Sequence, residues 1–290
     1  MRFDINKLMQ AIEDWSMKMP AEDIQVTIPD NSQKERKHLG LSMLASECQR
    51  AVFYDFRKVA SKEFPPRMLR LFQRGHREEF FFMHMLRGVG LTVYDVDPKT
   101  GKQFRVEDFE GHVSGSMDGV IRDRKKLFVD VDKPFKPEYK TYNAKRFNKL
   151  EKSGVREADF KYYGQMQGYL GYDKRLAGAL FCAVCKDDDR LHFEWILPEP
   201  VTFEMLKERA EMILNATKPP PGISKRKSFW KCGYCDFKDN CFPDRKGHRV
   251  PSVKSCRSCV HATPGLKKSW DCNVGGVYGK LCEKWEDINR

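Results

Sequence analysis

The sequence predicts an α/β protein, a central mixed β-sheet flanked by helices, with a small cysteine-rich metal module at the C-terminal end. Three observations carry that expectation. Apolar residues recur at helical spacing over 38–60 and 66–88. Short β-like runs occupy 90–143 and 176–197, with another helical stretch, 156–174, between them. Seven of the ten cysteines crowd into about 60 residues beyond a Pro- and Lys-rich linker.

The elements follow in order. "MRFDINKLMQAIEDW" is helical and gives way to the polar "PDNSQKERK", so 1–37 are an N-terminal helix and arm. "HLGLSMLASECQRAVFYDFRKVA" (38–60) is a helix that holds an isolated cysteine, Cys48. After "EFPP" a second helix covers 66–88. "LTVYDV", "GHVSGSMDGVI", "KLFVDV" and "EYKTYN" are strand-like. "LAGALFCAVCKDDDRLHFEWIL" is two strands around an acidic turn, and a helix near 201–216 leads into the linker "TKPPPGISKRK". Neither an internal repeat nor a low-complexity tract interrupts this order.

A 290-residue chain that is 40% hydrophobic can build a packed core, which excludes global disorder. No run approaches the ~18 apolar residues that span a bilayer, and the N-terminus lacks the apolar core of a secretory leader. The expectation is a soluble, cytoplasmic protein of a bacterial cell or phage-infected host, without a membrane partner. In that compartment thiols stay reduced, so ten cysteines point to metal rather than disulfides. A net charge of +12 and a pI near 9.2 favour a polyanionic partner such as nucleic acid. The basic clusters "RDRKK", "KTYNAKRFNK", "KRK" and "DRKGHR" would supply the contact, or else form a merely solubilising surface.

On the 66–88 helix, Leu69, Phe72, His76, Glu79, Met83 and Leu86 recur at steps of three and four and share one face. Glu79 thus interrupts an apolar stripe, where a carboxylate is costly unless it is paired or binds metal. Asp118 lies in "GSMDGVI" between glycines, which permit close backbone approach or simply form a turn. In "KPEYKTYN", Glu138 and Lys140 share one strand face and Tyr139 points to the other. A carboxylate beside an ammonium suits phosphodiester hydrolysis, the acid holding a divalent cation and the lysine acting on water or developing charge. An ordinary ion pair reads the same way in isolation. Gln165 and Tyr169 stand four apart on one face of the next helix. "DVD" (130–132) is a competing acidic pair without a following lysine.

In order, "GHREE", "GSMDG", "EYKT" and "QMQGY" resemble the motifs of the PD-(D/E)xK nuclease superfamily, in particular its RecB-like exonuclease branch. The resemblance runs over about 40–242, with "CKDDDRLHFEWI" similar to the strand pair that follows. It implies a restriction-endonuclease-like core. It also implies a Mg²⁺- or Mn²⁺-dependent DNA nuclease, with exonuclease expected over endonuclease. The ions would be held by Glu79, Asp118, Glu138 and the Tyr139 carbonyl. Lys140 would act on the attacking water, while Gln165 and Tyr169 position the DNA or the carboxylates. Many relatives carry a His where Glu79 stands, and His76 is one turn earlier. DNA is the implied substrate, and a helicase, recombinase or single-strand-binding protein a candidate partner. A non-catalytic nucleic-acid-binding zinc protein, or a recombination or replication adaptor, shares the charge and the cysteines and stays open.

Cys232, Cys235 and Cys241 are three thiols of a site that wants four. They resemble the C-terminal triplet of iron–sulfur RecB-like nucleases, the exonucleases of CRISPR adaptation and the AddB nuclease domain among them. In these a Cys-x-Arg…Tyr helix far upstream supplies the remaining ligand. "ECQRAVFY" matches with Cys48, Arg50 and Tyr54, which implies a 4Fe–4S cluster on Cys48, Cys232, Cys235 and Cys241 that closes the nuclease domain at 38–242. Cys256, Cys259, Cys272 and Cys282 in 243–290 form a second complete set, most simply for Zn²⁺. A rival zinc ribbon would pair Cys232 and Cys235 with Cys256 and Cys259, and His248 or His261 could substitute. Cys182 and Cys185 lie in an apolar strand and are read as core.

Overall fold

The computed structural model describes residues 2–18, 36–61, 63–280 and 282–289. Apart from 36 and 37, the predicted arm after the first helix lies outside the described residues.

The chain begins with α1 (Ile5–Ser16), whose N-terminus is capped by the Asp4 carboxylate accepting from the Lys7 amide. The helix predicted over 38–60 is broken into β1 (Leu39–Gly40), α2 (Leu41–Leu44) and α3 (Gln49–Arg57). Cys48 is consequently not inside a helix but the N-cap of α3, in extended backbone. α4 (Pro66–Gly88) has the predicted bounds, with proline in its first turn.

Next come β2 (Thr92–Tyr94), β3 (Arg105–Asp108), β4 (Val113–Ser116), β5 (Val120–Arg122) and β6 (Lys136–Tyr142). "KLFVDV" is not a strand beyond a single bridge from Val129 to Phe3. Its amides are taken instead by the Asp123 carboxylate, which accepts from Leu127, Phe128 and Val129 at 2.8, 2.6 and 3.0 Å. α5 (Ala144–Ala158) and α6 (Phe160–Tyr172) precede the hairpin β7 (Ala179–Cys185) and β8 (Leu191–Ile196), then α7 (Pro200–Asn215). Two single turns, α8 (Trp230–Gly233) and α9 (Lys238–Cys241), and the hairpin β9 (Ala262–Pro264) and β10 (Trp270–Cys272) end the chain.

The chain is a mixed α/β protein that divides into two compact units. The first comprises the described parts of Met1–Lys34, Phe64–Val106 and Gly115–Phe203. Here β6 pairs in parallel with β7, which pairs antiparallel with β8, while β2 and β5 form an antiparallel pair. Ile121 and Phe135 exchange both backbone hydrogen bonds at 2.9 Å, so β5 runs on to the start of β6. Helices α1 and α4 lie against this sheet around Leu8, Ile12, Phe82, Leu86, Ile121 and Phe135, all within 1% of full burial. Cys182 and Cys185 are buried on β7, as core residues.

The second unit comprises the described parts of Glu35–Glu63, Glu107–Ser114 and Glu204–Arg290. It contains all eight cysteines outside β7. Its α3 is anchored by the buried Arg57, which donates to the carbonyls of Cys259 and Ala262 at 2.6 and 2.9 Å. Tyr54 donates to Asn289, whose amide reaches the Asn240 carbonyl at 2.7 Å. Among the described residues, no helix is long and apolar enough to cross a membrane.

Candidate active site

Strand alternation on β6 directs Lys136, Glu138 and Lys140 to one face. Glu138 is fully buried, and its carboxylate is bracketed: Lys136 Nζ stands 2.5 Å from Oε2 and Lys140 Nζ 2.5 Å from Oε1. Gln165 Nε2, from α6, donates to the same two oxygens at 3.1 and 3.3 Å. One turn on, the Tyr169 ring lies under the Lys136 ammonium at 4.8 Å and its hydroxyl donates to the Ser116 carbonyl at 2.5 Å. The Lys140 ammonium lies 4.8 Å from the Tyr162 ring and donates to the Tyr139 carbonyl at 2.9 Å. Tyr139 itself points into the core and stacks on Phe82.

Asp118 sits in the break between β4 and β5. Gly119 follows it at φ +153°, with the Tyr94 carbonyl oxygen only 2.7 Å from where a β-carbon would be. Glycine is therefore required for close backbone approach, and the hairpin holds Asp118 in place. Glu79 lies where α4 passes from solvent to core: Leu71 and Phe72 before it are exposed, Phe82 to Leu86 after it largely buried. The apolar stripe that Glu79 interrupts is thus buried only in its second half. His76 Nδ1 is 3.6 Å from Glu79 Oε2, and Glu78 turns to Arg74.

The electrostatics tie these groups together. Burial, then the neighbouring Asp118, pushes the Glu79 carboxyl up to about 7. Burial, then Glu138, also raises that of Asp118 against the pull of Lys136 and Lys140. For Glu138 burial works upward too, but the two lysines overcome it and hold the carboxyl at about 2. Burial opposes the charge on Lys140, yet Glu138 and Asp118 keep its ammonium well above the usual lysine range. Two acids resisting ionisation beside a third are a donor set suited to a hard divalent cation. Among the described residues, however, no three His, Cys, Asp or Glu side chains stand in metal-holding geometry. Glu138 is turned instead toward its lysines. The competing Asp130 is an exposed partner of Lys126.

The motif "EYK" does not include Lys136, which stands two residues before Glu138. The same alternation, counted back two residues, would have found it.

The cysteines of the second unit fall into two groups. Cys48, Cys232, Cys235 and Cys241 line one cavity, beside Arg50 and Tyr54. Arg50 reaches the Cys241 sulfur at 3.3 Å and the Pro220 carbonyl at 2.8 Å. Burial, then the nearby Cys48, raises the Cys232 thiol, and the same two causes raise Cys235. No disulfide joins any of the described cysteines. Four free thiols crowded together with one guanidinium fit a soft metal or a cluster by their chemistry. Cys256, Cys259, Cys272 and Cys282 line a different cavity.

No family model and no curated protein matches the chain. Among solved structures it is similar to SSO0001, at 17% identity and TM-score 0.42 over 80% of this chain and 92% of that one. It is also similar to an alkaline exonuclease (LHK-Exo) from Laribacter hongkongensis, at 16% identity and TM-score 0.44 over 62% and 87% of the two chains. The same exonuclease in complex with dAMP gives 16% and 0.44 over 61% and 86%. At these values the likeness adds nothing to the functional reading, which rests on the side chains.

Proposed function

We propose that the chain is a metal-dependent DNA nuclease that hydrolyses phosphodiester bonds, acting from DNA ends. The observation that supports this reading is the buried Glu138 carboxylate gripped by Lys136, Lys140 and Gln165, with Glu79 and Asp118 as electrostatic neighbours. Burying this much charge costs a fold several kcal/mol per ion before pairing offsets it, and groups perturbed in this way cluster at functional sites.

Glu79, Asp118, Glu138 and the Tyr139 carbonyl would hold Mg²⁺ or Mn²⁺, which supplies charge neutralisation at the phosphate and an acidified water. Lys140 is the one cation of the β6 face with partial exposure, at 20% against 0% for Lys136. It would orient the attacking water and offset charge gathering on the phosphate oxygens. Gln165 fixes the Glu138 carboxylate, and Tyr169 fixes the β4 end that leads to Asp118. Water adds to phosphorus, the P–O bond to the leaving nucleotide breaks, and the proton from water leaves through solvent. The basic surface draws DNA in.

In the second unit, Cys48, Cys232, Cys235 and Cys241 would carry a 4Fe–4S cluster that fastens α3 to the 229–242 segment. The proposal is tested by incubating end-labelled DNA with the purified chain, with and without Mg²⁺ or Mn²⁺. Cleavage that needs the ion and disappears in Glu138→Gln supports it. DNA binding without cleavage under any divalent ion would favour the non-catalytic DNA-binding reading.

A further inference from the structure

The last 48 residues are short of a hydrophobic core. From Pro243 onward, the buried apolar residues among those described are Cys259, Ala262, Trp270 and Ile288. A segment of this size rarely holds its shape on so little without a disulfide, a metal or packing borrowed from elsewhere. Trp270 does borrow packing from α3, with the Arg57 guanidinium 5.1 Å from its ring and the Phe56 ring 5.3 Å away. The free cysteines are left without any such role.

Their arrangement is regular. Each of Cys256, Cys259, Cys272 and Cys282 opens a turn, its carbonyl accepting from the amide three residues on at 3.1–3.2 Å. The β9–β10 hairpin sets Cys272 opposite Ala262, three residues after Cys259. All four cysteines line one cavity, although, among the described residues, no three of their side chains stand in metal-holding geometry. A β-carbon at Gly276 would stand 3.0 Å from the Cys272 sulfur and 3.9 Å from that of Cys282, so both sulfurs lie beside this one glycine. The Gly279 amide donates to the Cys256 sulfur at 3.3 Å, the kind of outer hydrogen bond that steadies a thiolate ligand.

We infer that Cys256, Cys259, Cys272 and Cys282 form a structural Zn²⁺ site in which all four positions are thiolate, and that this ion replaces the missing core of the C-terminal segment. Binding deprotonates the four thiols and releases their protons to solvent, without redox change. His261 stays out of the set, paired with Glu286 at 3.1 Å. The inference is independent of nuclease activity, because it is read from metal content alone.

The test is elemental analysis of the full chain, followed by exchange with Co²⁺ and ¹¹³Cd²⁺. About one zinc per chain is expected, with an intense thiolate-to-cobalt absorption and a cadmium resonance in the all-sulfur range. Cys272→Ser and Cys282→Ser should lose that ion, whereas Cys232→Ser should keep it. If the serine variants fail to fold, the cadmium resonance of the unaltered chain still reports the ligands. Absence of zinc together with no uptake of Co²⁺, iron in place of zinc on these cysteines, a mixed sulfur–nitrogen resonance, or loss of zinc in Cys232→Ser would each overturn the inference.

Discussion

Glu138 receives three donors from two elements, and each has a different job. Gln165 is neutral and can only orient the carboxylate; Lys136 is sealed in the core; Lys140 reaches toward solvent. Lys140→Ala should therefore lower single-turnover cleavage by about 10²–10⁴ while DNA affinity, measured with Ca²⁺ in place of Mg²⁺, changes little. Lys136→Met should act mainly on stability, because it leaves a buried carboxylate with one cation fewer. Equal losses of cleavage and of melting temperature in both variants would contradict that division.

The acids also make opposite statements about pH. Without metal, the Glu79 carboxyl is held at about 7 in the fold, above its ordinary 4.5. The native state then binds a proton that the unfolded chain releases, so this contribution is complete below pH 4.5 and is lost as pH rises through 7. Glu138, held at about 2, contributes in the other sense: its share is present above 4.5 and is lost as pH falls toward 2. Thermal denaturation of metal-free protein should show the first slope, and Glu79→Gln should flatten it. Divalent-ion affinity should rise over the same window as Glu79 ionises. A metal-free melting temperature that climbs between pH 5 and 7 would contradict the assignment.

Elements with a strong period could be read from the sequence; those set by capping or side-chain competition could not. α4 matched its predicted 66–88 because 23 residues of helical spacing outweigh any local signal. The β7–β8 pair was equally plain, its apolar runs meeting at an acidic turn. α5 was obscured by its charge, since "AKRFNKLEK" reads as a basic cluster. The Asn143 cap, which accepts from the Arg146 amide, and the buried Phe147 and Leu150 were the overlooked signs. "KLFVDV" has a strand pattern, but one carboxylate, Asp123, takes the amides a strand would need. Glu79, Asp118, Glu138, Lys140, Gln165 and Tyr169 are legible in the sequence as an ordered series; Lys136 is not, because it stands two residues before Glu138, outside that series. At the Asp118 turn, Gly119→Ala would place a β-carbon against the Tyr94 carbonyl. It should cost roughly 1–3 kcal/mol of stability and weaken divalent-ion binding, as checked by denaturation and calorimetry. Wild-type metal affinity in that variant would mean Asp118 is not held by its turn.

Across the molecule, the chemistry splits between two units, acids and lysines in one and eight thiols in the other. Cys48→Ser should remove iron from anaerobically purified protein and lower the melting temperature, because the cluster would close a loop of more than ~180 residues. Iron retained in that variant would rule Cys48 out as a ligand. The charge of +12 predicts DNA affinity that falls steeply with salt, by the release of condensed counterions. A dissociation constant flat from low to physiological salt would assign the basic surface to something other than nucleic acid.

The most direct measurement is label release from 5′- and 3′-labelled single- and double-stranded DNA by the full chain in Mg²⁺ or Mn²⁺, beside Glu138→Gln and Lys140→Ala. The predicted result is ion-dependent release of nucleotides from DNA ends by the wild type, with both variants folded, DNA-bound and slowed by about two orders of magnitude or more. Cleavage at wild-type rate by both variants, or none by the wild type with any divalent ion, would contradict it.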